Sequence, residues 1–401
     1  MNQATLDFIR CHARDDVRQL ALQSVPADVN LREALTQIEG RQLAAHKLPS
    51  WATADGLRFP PRLSMEQCSS EATAVYKRQV AERVISGRSL FVDLTAGLGV
   101  DFSHLAPLFE QAVYVDRNDE LCALARHNMP LFGLPEAKVR CCDAAEALAT
   151  IANADLIMID PARRDAAGRK VALIEDCTPD VCAMQDALCQ ASRHVLVKLS
   201  PMLDIAAALR ALHRVAEVHV VSVGGECKEL LFVLDAEARN DGAEKGATTD
   251  PTITCVNLPA SDFFVFTRSE EAASTPIFAD SIGAFLYEPH ASILKAGAFK
   301  TLCRRFGVVK LSQDAHLYTS DSLVADFPGR AWKVVDISSF SKKALRPFLA
   351  DIIEADITVR GFPLNVSALR KQLRLREGGS NHLIATTLAN GQRCLVKVKR
   401  V

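Results

Sequence analysis

The sequence predicts an α/β protein: a doubly wound, mostly parallel sheet in mid-chain, with a helical region before it and a basic α+β unit after it. Three observations carry this. Short apolar runs alternate with helical spans between residues 90 and 234, the pattern of strands buried on both faces of a parallel sheet. Four of these runs end at or next to an aspartate: Asp93, Asp116, Asp143 and Asp160. Charge is also divided along the chain. Residues 301–401 hold 17 Lys+Arg and 8 Asp+Glu, a balance of +9, which leaves −10 for residues 1–300.

The 401 residues predict two to four domains at ~100–200 residues each. Hydrophobic residues at 49% and charged residues at 24% exclude a largely disordered chain. No run reaches the ~18 apolar residues that span a bilayer. The N-terminal MNQATLDFIRCHARDDVRQL lacks the apolar core and cleavage site of a signal peptide. The expectation is therefore a cytoplasmic protein without a membrane partner. The twelve cysteines form no C-x-x-C, and Cys141 and Cys142 are adjacent, so they read as reduced thiols.

Residues 1–80 read as helical. Asn30 with Glu33 has the capping-box spacing, and Ser70–Ser86 forms a further helix. The stretch Leu48–Met65 carries Pro49, Pro60 and Pro61 and is expected to be irregular. Strands follow at Leu90–Asp93, Ala112–Val115, Lys138–Cys141, Asp155–Ile159, His194–Leu199, Val218–Val223 and Leu230–Leu234. Helices at Asn118–Met129, Pro179–Ser192 and Leu203–Val215 lie between them. Gly224-Gly225 leaves no room for a crossover, so the last two strands should be antiparallel. The polar run Ala236–Asp250 marks a linker. The expected domains are thus 1–80 helical, 81–236 the sheet domain, 251–331 an α+β connecting domain of ferredoxin-like type, and 332–401 a basic α+β domain.

The segment SLFVDLTAGLGVDFSHL, Ser89–Leu105, reads as strand, glycine turn and helix. Glycines at 97 and 99 let backbone approach a ligand; an ordinary strand–turn–helix is the alternative. Ligands of open α/β sheets bind outside the carboxyl ends of the strands, and four acids at successive strand ends line one such rim. Each acid singly is also a common helix cap. A dinucleotide asks for G-x-G-x-x-G. Here the third glycine is missing and Asp101 stands at the helix start. The added carboxylates repel a pyrophosphate but suit a cofactor bearing an ammonium and a sulfonium.

This segment resembles motif I, (D/E)-x-x-x-G-x-G, of class I S-adenosylmethionine-dependent methyltransferases, over about Glu71–Asp235. The resemblance implies a Rossmann-like seven-stranded sheet with an antiparallel strand at its end. It implies S-adenosyl-L-methionine held by Asp93, Thr95, Gly97 and Gly99, by Asp116 at the ribose and by Asp143 at the adenine. It implies a reaction centre at Asp160-Pro161, in the place of the (D/N)-P-P-x loop. A wider resemblance comes from SMEQCSSEATAVYK, IDPARRD, VKLSPMLD and ADITVRGFPLNVSALRKQLRLREGGSNHLIATT. These are similar to bacterial methyltransferases that end in a THUMP-like domain. That likeness implies that Gln67, Ser69 and Ser70 close over the methionine part of the cofactor; capping by Ser69 or Ser70 is the alternative. Lys198, Ser200 and Pro201 then lie near the reaction centre, where Lys198 orients an acceptor or pairs with a rim acid.

THUMP domains accompany RNA-modifying enzymes, so the resemblance implies methylation of a nitrogen of structured RNA, tRNA or rRNA. Positioning supplies most of the rate, and Asp160 can accept the departing proton. Base-methylating enzymes place an aromatic after the proline, to stack on an extruded base; Ala162 and Arg163 stand here instead. Arg163 and Arg164 can hold a base or phosphate or form internal ion pairs. No cysteine ends the fifth strand, which argues against a covalent mechanism. No zinc-ligand spacing and no P-loop occurs. A helix over Val366–Leu375 would set Arg370, Lys371 and Arg374 on one face to track phosphates, or simply be solvated. Two other functions fit: a methyltransferase of a small molecule or protein with a C-terminal interaction domain, and a non-catalytic RNA-binding protein. The oligomeric state is left open.

Overall fold

The computed structural model describes residues 1–163, 173–237, 250–260 and 262–401. The chain folds as two compact units, Met1–Val218 with Glu229–Thr249, and His219–Lys228 with Asp250–Val401.

Six helices open the first unit: α1 (Gln3–Cys11), α2 (Val17–Leu20), α3 (Leu31–Lys47), α4 (Pro49–Thr53), α5 (Arg62–Gln67) and α6 (Glu71–Val84). Asn30 caps α3 by accepting from Glu33 N at 3.2 Å, and Ser70 caps α6 by accepting from Thr73 N at 3.3 Å. The expected irregular stretch contains α4 and α5. Pro49 stands at the start of α4, where a missing N–H costs nothing and the fixed φ favours the helix.

The mid-chain elements follow as β1 (Leu90–Asp93), α7 (Val100–Leu105), β2 (Gln111–Asp116), α8 (Asp119–Asn128), β3 (Lys138–Cys141), α9 (Ala144–Leu148), β4 (Ala154–Ile159), α10 (Val181–Ala191), β5 (Ser192–Leu199), α11 (Ile205–Ala211), β6 (Val215–Val223) and β7 (Glu226–Asp235). Their order in the sheet is β3-β2-β1-β4-β5-β7-β6, so the antiparallel β7 lies between β5 and β6 and not at the sheet's end, and two later strands bring the expected seven to nine. The first five strands are parallel, and β7 runs antiparallel to β5. Ile157, Val195 and Val197 have no exposed surface, which explains why these strands read as unbroken apolar runs. Chain order reverses beside β1 and β4, so a crevice opens outside their carboxyl ends.

The second unit holds the tip of the β6–β7 hairpin with β8 (Thr252–Leu258) and β9 (Asp262–Phe266). Then come α12 (Arg268–Ala273), β10 (Phe285–Pro289), α13 (Ala291–Ala296), α14 (Phe299–Phe306), β11 (Val309–Lys310), β12 (Tyr318–Ser320), β13 (Gly329–Ser339), α15 (Lys342–Phe348), β14 (Asp356–Val359), α16 (Val366–Leu373), β15 (His382–Thr387) and β16 (Arg393–Arg400). One sheet, β11-β12-β10-β13-β16-β15-β14, runs through the stretches 251–331 and 332–401. Its β10 pairs antiparallel with β13. Leu286, Trp332, Ile384 and Val396 pack on one face, and Leu383, Ala385 and Leu395 with Leu369 of α16 on the other. Among the described residues, no helix is long and apolar enough to cross a membrane.

Candidate active site

The glycine turn after β1 is built by backbone and carboxylates together. Gly99 adopts φ +83°, and a Cβ there would meet Met129 Cε at 2.6 Å. Gly97 adopts φ +57°, and a Cβ there would meet only the Thr95 carbonyl oxygen, at 3.9 Å. Asp93 Oδ1 accepts from Thr95 N at 3.1 Å. Asp116 accepts from Gly97 N at 2.9 Å and from Asn118 N at 2.8 Å, so the acid after β2 also fixes the turn after β1. Tyr114 Oη donates to the Gly97 carbonyl. Asp160 N donates to Thr95 Oγ1 at 2.6 Å, which ties the ends of β4 and β1.

These contacts shape a cavity of about 140 Å3 whose wall includes Gln67, Ser69, Asp93, Thr95, Gly97, Asp101, Asp160 and Lys198. The structure thereby brings together residues as far apart in sequence as Gln67 and Lys198. Asp116 and Asp143 stand outside that wall, at the neighbouring strand ends. Asp143 is exposed and caps α9 through Ala145 N at 2.9 Å. Each carboxylate oxygen can accept more than one hydrogen bond, so capacity remains at both acids. Pro161 is buried, and Ala162 is bridged to Thr178. Arg163 is half-buried, and Arg164 lies outside the described residues. Ser70 is a helix cap and does not line the cavity.

Charge concentrates on this wall. Burial pushes the Asp93 carboxyl well above the usual carboxylate range, and nearby Asp101, Asp160 and Asp116 add to that. Burial opposes the charge on Lys198, but Asp160, Asp101 and Glu229 outweigh it and raise its pKa. Lys198 forms an ion pair with Asp160. Burial alone would raise Asp101; Lys77, Lys198 and the Ser69 hydroxyl bring it below its ordinary value. Asp101 Oδ1 is buried without an aligned hydrogen bond, although the Lys77 ammonium lies 3.1 Å away.

Lys77 and Glu229 are functional candidates that the sequence reading missed. Lys77 sits on α6 at helical spacing from Thr73, Ala74, Val80 and Ala81, on the buried face, and that periodicity was its available signal. Glu229 directly precedes the apolar run Leu230–Leu234 of β7, and that placement was its signal, since a buried charge in a strand asks for a partner.

The expected basic face of α16 is not formed as predicted. Arg370 Nη1 donates to the carbonyls of Ala355 at 2.9 Å and Arg376 at 3.1 Å. The helix ends at Leu373, and Arg374 takes a left-handed cap conformation with φ 56°. That rotates it off the helical register, so Lys371 and Arg374 are exposed while Arg370 serves the fold.

An open α/β sheet with an acid-lined crevice at its topological switch point defines a nucleotide-cofactor enzyme. Comparisons name the kind. A crystal structure from Porphyromonas gingivalis W83, described as a candidate methyltransferase, superposes with TM-score 0.85 at 35% identity, over 99% of this chain and 98% of that one. An uncharacterized S-adenosylmethionine-dependent methyltransferase of Mycobacterium tuberculosis, strain H37Rv, is 25% identical over 82% of this chain and 86% of its own length. Its counterpart in strain CDC 1551 matches equally. Family models match a ferredoxin-like domain at residues 285–328 and a THUMP domain-like module at 329–399. The chain belongs to the S-adenosylmethionine-dependent methyltransferases that carry a C-terminal THUMP-like domain. The wall residues fit that cofactor: Gly97 faces the cavity with backbone and no side chain, the wall carries several carboxylates, and Asp101 Oδ1 is a buried acceptor with capacity to spare.

Proposed function

We propose that this methyltransferase modifies a nitrogen of structured RNA, tRNA or rRNA. The single observation behind the RNA reading is on the THUMP-like module. Lys333 of β13 stands directly opposite Lys399 of β16. Both are exposed, and neither has an ion-pair partner among the described residues. Like charges directly across a ladder cost stability, and a phosphate backbone would relieve that cost. Lys342, Lys343 and Arg346 of α15 are also exposed and add to the positive field. Lys371 and Arg374 extend the set of candidate RNA contacts.

S-adenosylmethionine supplies an electrophilic methyl group on its sulfonium. In the proposed roles, Gln67, Ser69, Asp93, Thr95, Gly97 and Gly99 hold the cofactor, with Asp116 at the ribose and Asp143 at the adenine. Asp160 accepts a hydrogen bond from the acceptor N–H and orients its lone pair. Lys198 holds Asp160 in place, and the carbonyl of Pro161 gives a second acceptor. With the cofactor bound, a bond would form between nitrogen and methyl carbon as the carbon–sulfur bond broke, S-adenosylhomocysteine would leave, and Asp160 or water would take the proton. Arg163 contacts the substrate.

The test is methyl transfer from labelled S-adenosylmethionine to RNA from cells lacking the gene, followed by nucleoside mass spectrometry. One nucleoside gaining an N-methyl group is the expected result. Label found only in protein or small molecules would overturn the RNA assignment.

A further inference from the structure

Lys77 and Glu229 stand behind the cavity wall. The Lys77 side chain is fully buried, and that of Glu229 is 3% exposed. Lys77 Nζ lies 2.8 and 2.7 Å from the two Glu229 oxygens, 3.1 Å from Asp101 Oδ1 and 3.3 Å from Ser69 Oγ. Ser69 Oγ donates to Asp101 Oδ2 at 2.6 Å. Of these four residues only Ser69 and Asp101 line the cavity. Apolar residues of similar volume often replace a buried ion pair without loss of stability, so packing does not account for this one. The Lys77 ammonium donates to Glu229 of β7 and to Ser69 before α6, and lies at ion-pair distance from Asp101 in the first turn of α7.

We propose that Lys77, backed by Glu229, is a positioning residue that holds Asp101 and the Ser69 segment to receive the ammonium of the amino-acid end of S-adenosylmethionine. Glu229 is essential to the arrangement. Paired with Asp101 alone, Lys77 would cancel the charge that attracts an ammonium. With Glu229 taking up the lysine, the three groups retain one net negative charge facing the cavity. Lys198 and Asp160 balance each other.

The groups facing Asp101 are Lys77 from α6, Cys68 before it, Lys198 from β5, Glu229 from β7, Asp93 from β1, Asp160 after β4, and His104 on its own helix. Lys77 is the strongest influence that lowers the Asp101 carboxyl. Without it, Asp101 takes up a proton more readily, and its attraction for a cation is lost as pH falls.

The test is calorimetric titration of S-adenosylmethionine into the full-length double variant Lys77→Met/Glu229→Gln, which removes one charge of each sign. Circular dichroism checks the fold. Binding is expected to weaken roughly tenfold, the loss of one charge-assisted contact, and more at about pH 6 than at about pH 8. Affinity within about twofold of the parent and flat with pH would overturn the proposal. Should the double variant not fold, isosteric Glu229→Gln carries the test. It leaves Lys77 to neutralise Asp101, so S-adenosylmethionine should lose more affinity than 5′-methylthioadenosine, which lacks the amino-acid end. Equal losses for both ligands, or affinities unchanged from the parent, would overturn it.

Discussion

The Lys198 ammonium is ion-paired with the Asp160 carboxylate across two parallel strand ends. Ile159 of β4 stands level with Val197 of β5, so the next residue of each strand meets the other. This register places a fixed cation against the acid proposed to receive the acceptor's proton. An acid held in this way is oriented before substrate arrives, which lowers the reorganisation cost of the reaction.

Asp160→Asn keeps the shape of that acid but removes its charge. Turnover should fall by about 10²–10⁴-fold, the usual share of a general base. Cofactor affinity should stay within a few-fold. Methyl-transfer kinetics beside calorimetry separate the two, and a parallel loss of binding would assign Asp160 to the cofactor instead.

Asp93 should make cofactor binding release a proton. Its carboxyl is raised mainly by burial, and an approaching cation favours the ionised form. A raised carboxyl stabilises the fold below the ordinary carboxylate pKa, and that contribution is lost as pH rises through the raised value. Asp93→Asn should therefore melt higher than the parent above about pH 4, with the gain growing as pH rises. It should also bind S-adenosylmethionine more weakly. Thermal melts across pH, and titrations in buffers of differing ionisation heat, provide both readouts.

Gly99→Ala should cost about 1–3 kcal/mol, the usual penalty for a side chain held at strained backbone angles. The left-handed backbone at Gly99 is the main source. The Met129 contact adds less, because its Cε is the far end of a flexible side chain. Denaturant unfolding measures the loss. Weakened cofactor binding with unchanged stability would place the effect in the ligand site alone.

Lys333→Gln with Lys399→Gln should leave the protein equally or slightly more stable, since repulsion across β13 and β16 is relieved. The same change should reduce the salt dependence of RNA binding, with the slope of log affinity against log salt shrinking by about 0.7–0.9 for each lysine that meets a phosphate. Filter binding over a salt series reads the slope, and an unchanged slope would exclude this pair from the RNA contact.

The strand ends of the first sheet were readable from residue order because their signals are local. An apolar run closed by Asp93, Asp116 or Asp160 is a property of a few neighbouring residues, and so is the glycine turn at 97 and 99. The antiparallel β7 followed from the two-residue Gly224-Gly225 connection. The cap at Asn30 was equally local. Helix α16 was placed correctly, yet its basic face was not, because one left-handed residue at Arg374 ends the periodicity on which that face depended.

The linear chain thus specifies where strands end and which acids close them, since backbone preference and side-chain alternation act over a few residues. It does not specify which acid keeps its charge or which partner a buried lysine meets. Lys77 meets Glu229 across 152 positions, and Asp101 acquires its depressed carboxyl only when α6 with the segment before it, α7 and β5 are packed together. Coulombic coupling depends on distance and dielectric, and both exist only once the chain has folded.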